Sequence, residues 1–358
     1  MSASDSRGGT DLDQVPEKLS AGKRAMRAVL VLALAGLMLW ILSGLVDWDA
    51  VWRALKGVSA WGFIALLVTS VLFIVGIAVG DMGLIKGLKL GQAVNSSTVS
   101  STTSMVIPFP GEMVVRLGMY RSYGISLEAG STAMVLSGAL RYMMVALLPG
   151  LAGVAILITG RGDPDTLELT LIAFGIGIAV VAAIFLVIKS EKVATAVGRV
   201  AEAIWTGAMR VLKRPLPEKS LREAVLEFRE TGIRGLSGRT TIILLSAIPA
   251  ILGHYLVLFT ACRAVGIDSE TLNWAEVLLV LAVIQVIAVI PLTPGGIGFG
   301  EAAAIWALGW TSPDLNNLLM AGMLLYRTFT MVIPMPFGFW ALARWRKRGG
   351  EPAELPAT

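Results

Sequence analysis

Pro291-Leu292-Thr293-Pro294-Gly295-Gly296-Ile297-Gly298-Phe299-Gly300-Glu301 closes an apolar run that occupies positions 274–290. No regular helix passes through two prolines and four glycines, because proline has no N–H to donate and glycine loses the most backbone entropy when held helical. At membrane depth such a break is tolerated only where the freed N–H and C=O groups meet protein or water. Pro291, Thr293, Pro294, Gly295, Gly296 and Gly298 should therefore line a cavity or be buried. Glu301 opens the helix that follows, where unpaired N–H groups and the positive end of the helix dipole favour a carboxylate.

A second stretch has the same build. Val106-Ile107-Pro108-Phe109-Pro110-Gly111-Glu112 repeats the proline, glycine and glutamate, with six fewer residues between the first proline and the glutamate. Downstream, each copy carries an arginine inside an apolar run and then a proline: Arg141 with Pro149, and Arg327 with Pro334. The spacing is 33 residues from Pro108 to Arg141 and 36 from Pro291 to Arg327. Break, glutamate, arginine and proline in one order, twice, read as an internal repeat.

The rest of the chain places these stretches in a bilayer. Of its 358 residues 55% are hydrophobic and only 15% charged, and the mean hydropathy is +0.75, which points to an all-α polytopic membrane bundle. Cys262 is the single cysteine and His254 the single histidine. No disulfide framework and no cysteine- or histidine-clustered metal site can be built from them, which leaves carboxylates and arginines as the working groups. The net charge of +5 gathers in loops beside apolar spans, which is not how a nucleic-acid surface is made. Phosphate-binding loops, dinucleotide fingerprints and nucleophile elbows are absent from the sequence, so no cofactor is implied.

Taken in order, a tail at 1–27 ends in Lys18, Lys23, Arg24 and Arg27 and should lie in the cytoplasm, before a retained anchor rather than a cleaved signal. A first transmembrane half covers 28–188. Its spans are 28–46, 58–80, 129–159 with Arg141 near the middle, and 168–188; Pro149-Gly150 should kink or split the third. Between them, 92–108 is too rich in serine and threonine to face lipid and should be a helix packed inside the bundle, and 112–124, with Glu112 and Arg116, a short returning helix. Positions 189–239 form a hydrophilic loop with eleven Lys/Arg against six Glu, hence cytoplasmic. Its Val193, Val197, Val200, Ile204, Ala208 and Val211 recur at helical spacing, as in a helix lying on the anionic inner leaflet. A second half, 240–343, runs through 240–262, 274–290, the break, a short helix at 301–310 and a last span near 318–342, before a basic tail at 344–358. This amounts to about eight spans plus broken helices. An odd number of crossings separates corresponding spans, so the repeats should be inverted.

Arginines at mid-bilayer cost about 2.5–3.5 kcal/mol each on insertion scales, so Arg141 and Arg327 need partners. One possibility is that each pairs with Glu112 or Glu301 inside the protein. The other is a polar cavity at the repeat interface, where the arginine forks receive an anionic lipid headgroup and the glutamates release it or carry protons. His254 could relay a proton, though a lone histidine beside Tyr255 reads more readily as a hydrogen-bonded packing residue. Asp81 caps the inner end of its helix or meets Lys86.

The stretch Pro291 to Glu301, with Pro110-Gly111-Glu112-x-x-x-Arg116 upstream and Arg327 downstream, resembles the lysylphosphatidylglycerol synthase transmembrane (flippase-like) family over about residues 28–343. The resemblance implies a lipid-translocating domain that moves a modified or carrier lipid between leaflets. In the namesake proteins a separate soluble domain makes the aminoacyl lipid, and this resemblance does not extend to it. The expectation is an ATP-independent flippase of the cytoplasmic membrane rather than an enzyme, with a membrane lipid as substrate. A second copy of the chain or a lipid-synthesis enzyme is a candidate partner. The alternative is an integral-membrane enzyme or accessory acting on a lipid-linked sugar or phosphate, for which Asp163 with Asp165 is a close acidic pair.

Overall fold

A segment surrounded by lipid must satisfy its backbone hydrogen bonds internally, and all regular elements among the described residues are helices. The computed structural model describes residues 47–106, 111–162, 164–211, 220–236, 240–289, 296–309 and 312–350. The tail at 1–27, the first apolar run at 28–46, both proline-containing breaks, Asp163 and the last eight residues lie outside them.

The described chain opens with a short amphipathic helix, α1 (Trp48–Lys56), and the first long apolar helix, α2 (Ala60–Leu84). The serine-rich α3 (Leu90–Val106) and the shorter α4 (Gly111–Ser122) follow, and then α5 (Leu127–Ile158) and α6 (Pro164–Lys189). The hydrophilic connection carries α7 (Glu191–Val211) and α8 (Leu221–Leu236). The second half contains α9 (Thr240–Leu245), α10 (Ile248–Ala264), α11 (Trp274–Ile287), α12 (Phe299–Leu308) and α13 (Pro313–Arg327). A π-helical turn (Thr328–Val332) leads into α14 (Pro334–Lys347). Five stretches are long and apolar enough to cross a membrane: Ala60–Leu84, Leu127–Ile158, Asp165–Lys189, Thr241–Ala264 and Pro313–Lys347. The other expected crossings fall on 28–46 and on two pairs of short helices, α3 with α4 and α11 with α12.

Each pair is a hairpin. The Ser100 hydroxyl donates to Glu112 Oε1 between α3 and α4, and a Cβ on Gly300 of α12 would sit 3.5 Å from Ile284 Cα of α11. At ~1.5 Å per residue, the 14 residues of α11 span about 21 Å, less than the ~30 Å of a hydrocarbon core. These helices enter the bundle and turn back.

The two halves are related by their packing. α2 lies along α10, and the contacts run in opposite order: a Cβ on Gly62 would meet Ala264, one on Gly76 would meet the Pro249 carbonyl at 2.4 Å, and one on Gly80 the Ser246 carbonyl at 2.6 Å. The two helices are antiparallel. Around them the neighbours correspond: α3 packs on α14 as α11 packs on α5, and α3 on α4 as α11 on α12. An inverted pair of repeats produces this exchange of partners.

The serine and threonine content of α3 is accounted for by close packing. Ser96, Ser97, Thr98, Thr102 and Thr103 are buried. Their hydroxyls donate to carbonyls three or four residues back along the same helix, as Thr98 Oγ1 does to the Val94 carbonyl at 2.7 Å. With its polarity turned inward and its side chains short, α3 lets α14 come so near that a Cβ on Gly338 would fall 1.9 Å from Thr102 Oγ1.

Two expected boundaries differ. Pro149 does not split its span: α5 continues unbroken for 32 residues. Beside the proline, Gly150 and Gly153 bring the backbone so close to Phe174 and Thr170 of α6 that added Cβ atoms would overlap them, and this packing carries the helix through. The span at 240–262 is interrupted at Ser246-Ala247, with Pro249 in the first turn of α10, where proline fits.

Candidate functional site

α12 can begin where it does because Gly296 and Gly298 take φ of 68° and 86°, a region that side chains avoid. The turn directs the Gly298 N–H onto Glu301 Oε2, while Glu301 Oε1 accepts from Arg327 Nε at 2.7 Å. Arg327 is the last residue of α13 before the π-helical turn. The turn arises because Pro334 has no N–H, and the Ile333 N–H reaches back five residues to the Thr328 carbonyl at 2.8 Å. The Phe329 carbonyl accepts instead from Ser70 Oγ of α2 at 2.6 Å. The ion pair is well shielded, with 12% of the Arg327 side chain and 3% of the Glu301 side chain exposed. Arg327 Nη2 is buried without a hydrogen-bond partner among the described residues; Gly300 leaves it room, since a Cβ there would lie 3.4 Å away. Next along α13, the Tyr326 hydroxyl and His254 Nδ1 are 2.8 Å apart, and the His254 ring lies 4.4 Å from the Phe73 ring.

The first half is fastened differently. Glu112 is held by Ser100, and Arg116, one turn further on, grips Asp81 of α2 through Nη2 at 2.6 and 2.7 Å while its Nε donates to the Tyr120 hydroxyl at 2.9 Å. Arg141 forms no ion pair among the described residues and is exposed on α5. Its charge lies within electrostatic reach of both His254 and Tyr326, as does that of Arg327.

The structure thus joins Glu301 to Arg327 and His254 to Tyr326, with the Arg141 charge within electrostatic reach of His254 and Tyr326. Glu112 and Arg116 belong to the other hairpin. Gly111 starts α4, and Gly296 and Gly298 precede α12; Pro108, Pro110, Pro291, Thr293, Pro294 and Gly295 lie outside the described residues. Of the two possibilities for the arginines, a glutamate inside the protein is what Arg327 meets, in Glu301, and Arg141 meets neither Glu112 nor Glu301 among the described residues. The partner of Asp81 is Arg116, not Lys86, because the return of α4 along α3 carries Arg116 to the end of α2. Tyr120 and Tyr326 were not anticipated. Their signal is adjacency in the chain: Tyr120 stands four residues after Arg116, one helical turn, and Tyr326 directly precedes Arg327. Among the described residues no three His, Cys, Asp or Glu side chains cluster as metal ligands.

None of the curated proteins matches the chain. The family profile described as lysylphosphatidylglycerol synthase TM region matches residues 28–338, a stretch that holds both hairpins, both arginines and the antiparallel α2–α10 pair. On that match the protein is a member of the lysylphosphatidylglycerol synthase TM-region family.

Proposed function

We propose that the protein is a lipid translocase, moving an anionic or modified phospholipid or carrier lipid between leaflets of the cytoplasmic membrane without ATP, and that it is not an enzyme. The observation that carries this reading is Arg141: an exposed guanidinium midway along an apolar helix, without an ion-pair partner among the described residues, whose charge reaches the same His254 and Tyr326 that Arg327 reaches. Arginine at that depth is costly unless it meets an anion or water, and a guanidinium fork suits phosphate or carboxylate. Antiparallel repeats, each with a hairpin that turns back inside the bundle, are the architecture in which such a site can be exposed to either side in turn. Glu112 and Glu301 are the carboxylates available for release of the headgroup or for proton coupling.

The test is a leaflet-accessibility assay on the purified chain in vesicles, with candidate anionic lipids. Arg141→Lys keeps the charge but loses the fork, and should slow flipping at least tenfold in a folded protein. Glu301→Gln should abolish net flipping and spare lipid binding. Wild-type flipping in both variants would reduce these charges to scaffolding and remove the basis of the reading.

A further inference from the structure

Two halves built alike hold their glutamates in opposite ways. In the second, Glu301 is latched to Arg327, 26 residues downstream, with Arg327 Nε to Glu301 Oε1 at 2.7 Å. In the first, the equivalent Arg141 lies 29 residues beyond Glu112, yet Glu112 rests on Ser100 of its own hairpin and Arg141 is exposed and unpaired among the described residues. The hairpin of the first half is pinned elsewhere, by Arg116 on Asp81. Inverted repeats exchange conformations when a transporter changes state, because each half can adopt the shape the other shows. One half latched and one unlatched is what a single state of such a cycle looks like.

We propose that the two glutamate–arginine pairs close alternately, one in each state of the protein. In the state described here Glu301–Arg327 is closed and Arg141 is the arginine that can receive an anionic group. In the other state Glu112 leaves Ser100 for Arg141, and Glu301 releases Arg327. Arg327 is prepared for that release, since its Nη2 already lacks a partner among the described residues and the adjacent π-helical turn is a site where a helix can change register. One ion pair forms as the other opens, so no extra unpaired charge is created during the exchange, and the two states can lie close in free energy. The anion is handed from one arginine to the other across the repeat interface. This inference takes its purpose from the translocase reading, but its geometry can be tested apart from it.

Spin labels at positions 113 and 142 report the first pair, and labels at 303 and 332 the second, in the full chain carrying Cys262→Ser, in vesicles of phosphatidylglycerol and phosphatidylethanolamine. Without further change both label pairs should give two distance populations. Glu112→Gln should leave the long distance at 113–142 and the short one at 303–332; Glu301→Gln should do the reverse. Should Glu301→Gln fail to fold, the neutral double variant Glu301→Gln/Arg327→Gln is expected to show the same reversal. A 113–142 distribution that stays as in the parent in either second-half variant overturns the proposal. Exchange of distances without lipid movement would keep the switch and remove the translocase reading, and lipid movement with fixed distances would do the opposite.

Discussion

Removing the carboxylate of Asp81 strands the Arg116 guanidinium, whose side chain is 13% exposed, with the Tyr120 hydroxyl as its remaining hydrogen-bond partner. A buried ion pair broken from one side costs about 3–5 kcal/mol. Asp81→Asn should therefore lower stability by that amount in denaturant unfolding of the detergent-solubilised protein, and Asp81→Leu with Arg116→Leu should recover much of it. Asp47 with Arg53 is the internal control: at 4.0 Å, with side chains 59% and 71% exposed, its removal by Arg53→Ala, which keeps the Asp47 cap of α1, should change stability by less than about 0.5 kcal/mol. The sequence shows that a charge in an apolar run needs a partner, and Glu301 is one of two kinds of partner it offers Arg327, an anionic headgroup being the other. It could not show that Arg116 reaches back 35 residues to Asp81, since that depends on how the α3–α4 hairpin turns. Nor could it separate Arg141 from Arg327, which have the same local pattern and differ only in what stands opposite.

Among the elements, the long apolar helices follow from hydropathy, and the hairpins from proline and glycine at their turns. Less legible was the role of the hydroxyls in α3, because a serine-rich helix and a polar cavity wall have the same composition. The hydrogen bonds decide between them: apart from Ser100, whose hydroxyl donates to Glu112, each buried hydroxyl already serves its own backbone. Gly338→Ala should then be destabilising by about 1–3 kcal/mol, the usual cost of overpacking, because the new methyl meets the Thr98 carbonyl at 2.8 Å as well as the Thr102 side chain. Gly91→Ala, on the same α3 with nothing within 4 Å, should be neutral or slightly stabilising in the same unfolding measurement. The amphipathic pattern of α7 also reads differently in three dimensions. α7 packs on α8 through Gly198, where a Cβ would lie 2.9 Å from Arg222 Cα, and leaves Val197 and Val200 of the apolar stripe exposed.

For the whole molecule, the even distribution of partners about the α2–α10 pair was legible only as a repeat in the sequence, since spacing reveals duplication and not contact. Orientation rests on charge. The expectation that this segment, with α7 and α8, faces the cytoplasm rests on eleven basic residues between 189 and 239. A cysteine at Glu223 in a Cys262→Ser background should resist an impermeant thiol reagent in intact cells and react after permeabilisation; reaction in intact cells would invert the orientation. The back-bonded hydroxyls of α3 have a consequence for biogenesis. An insertion machinery that weighs each segment by its own hydrophobicity has little reason to leave α3 in the bilayer, because its short side chains offer lipid almost nothing. Its place between α2 and α14 exists only once both have been made, and α14 is close to the end of the chain. Half of the first repeat must therefore wait, near the interface, for the last helix of the second to be synthesised.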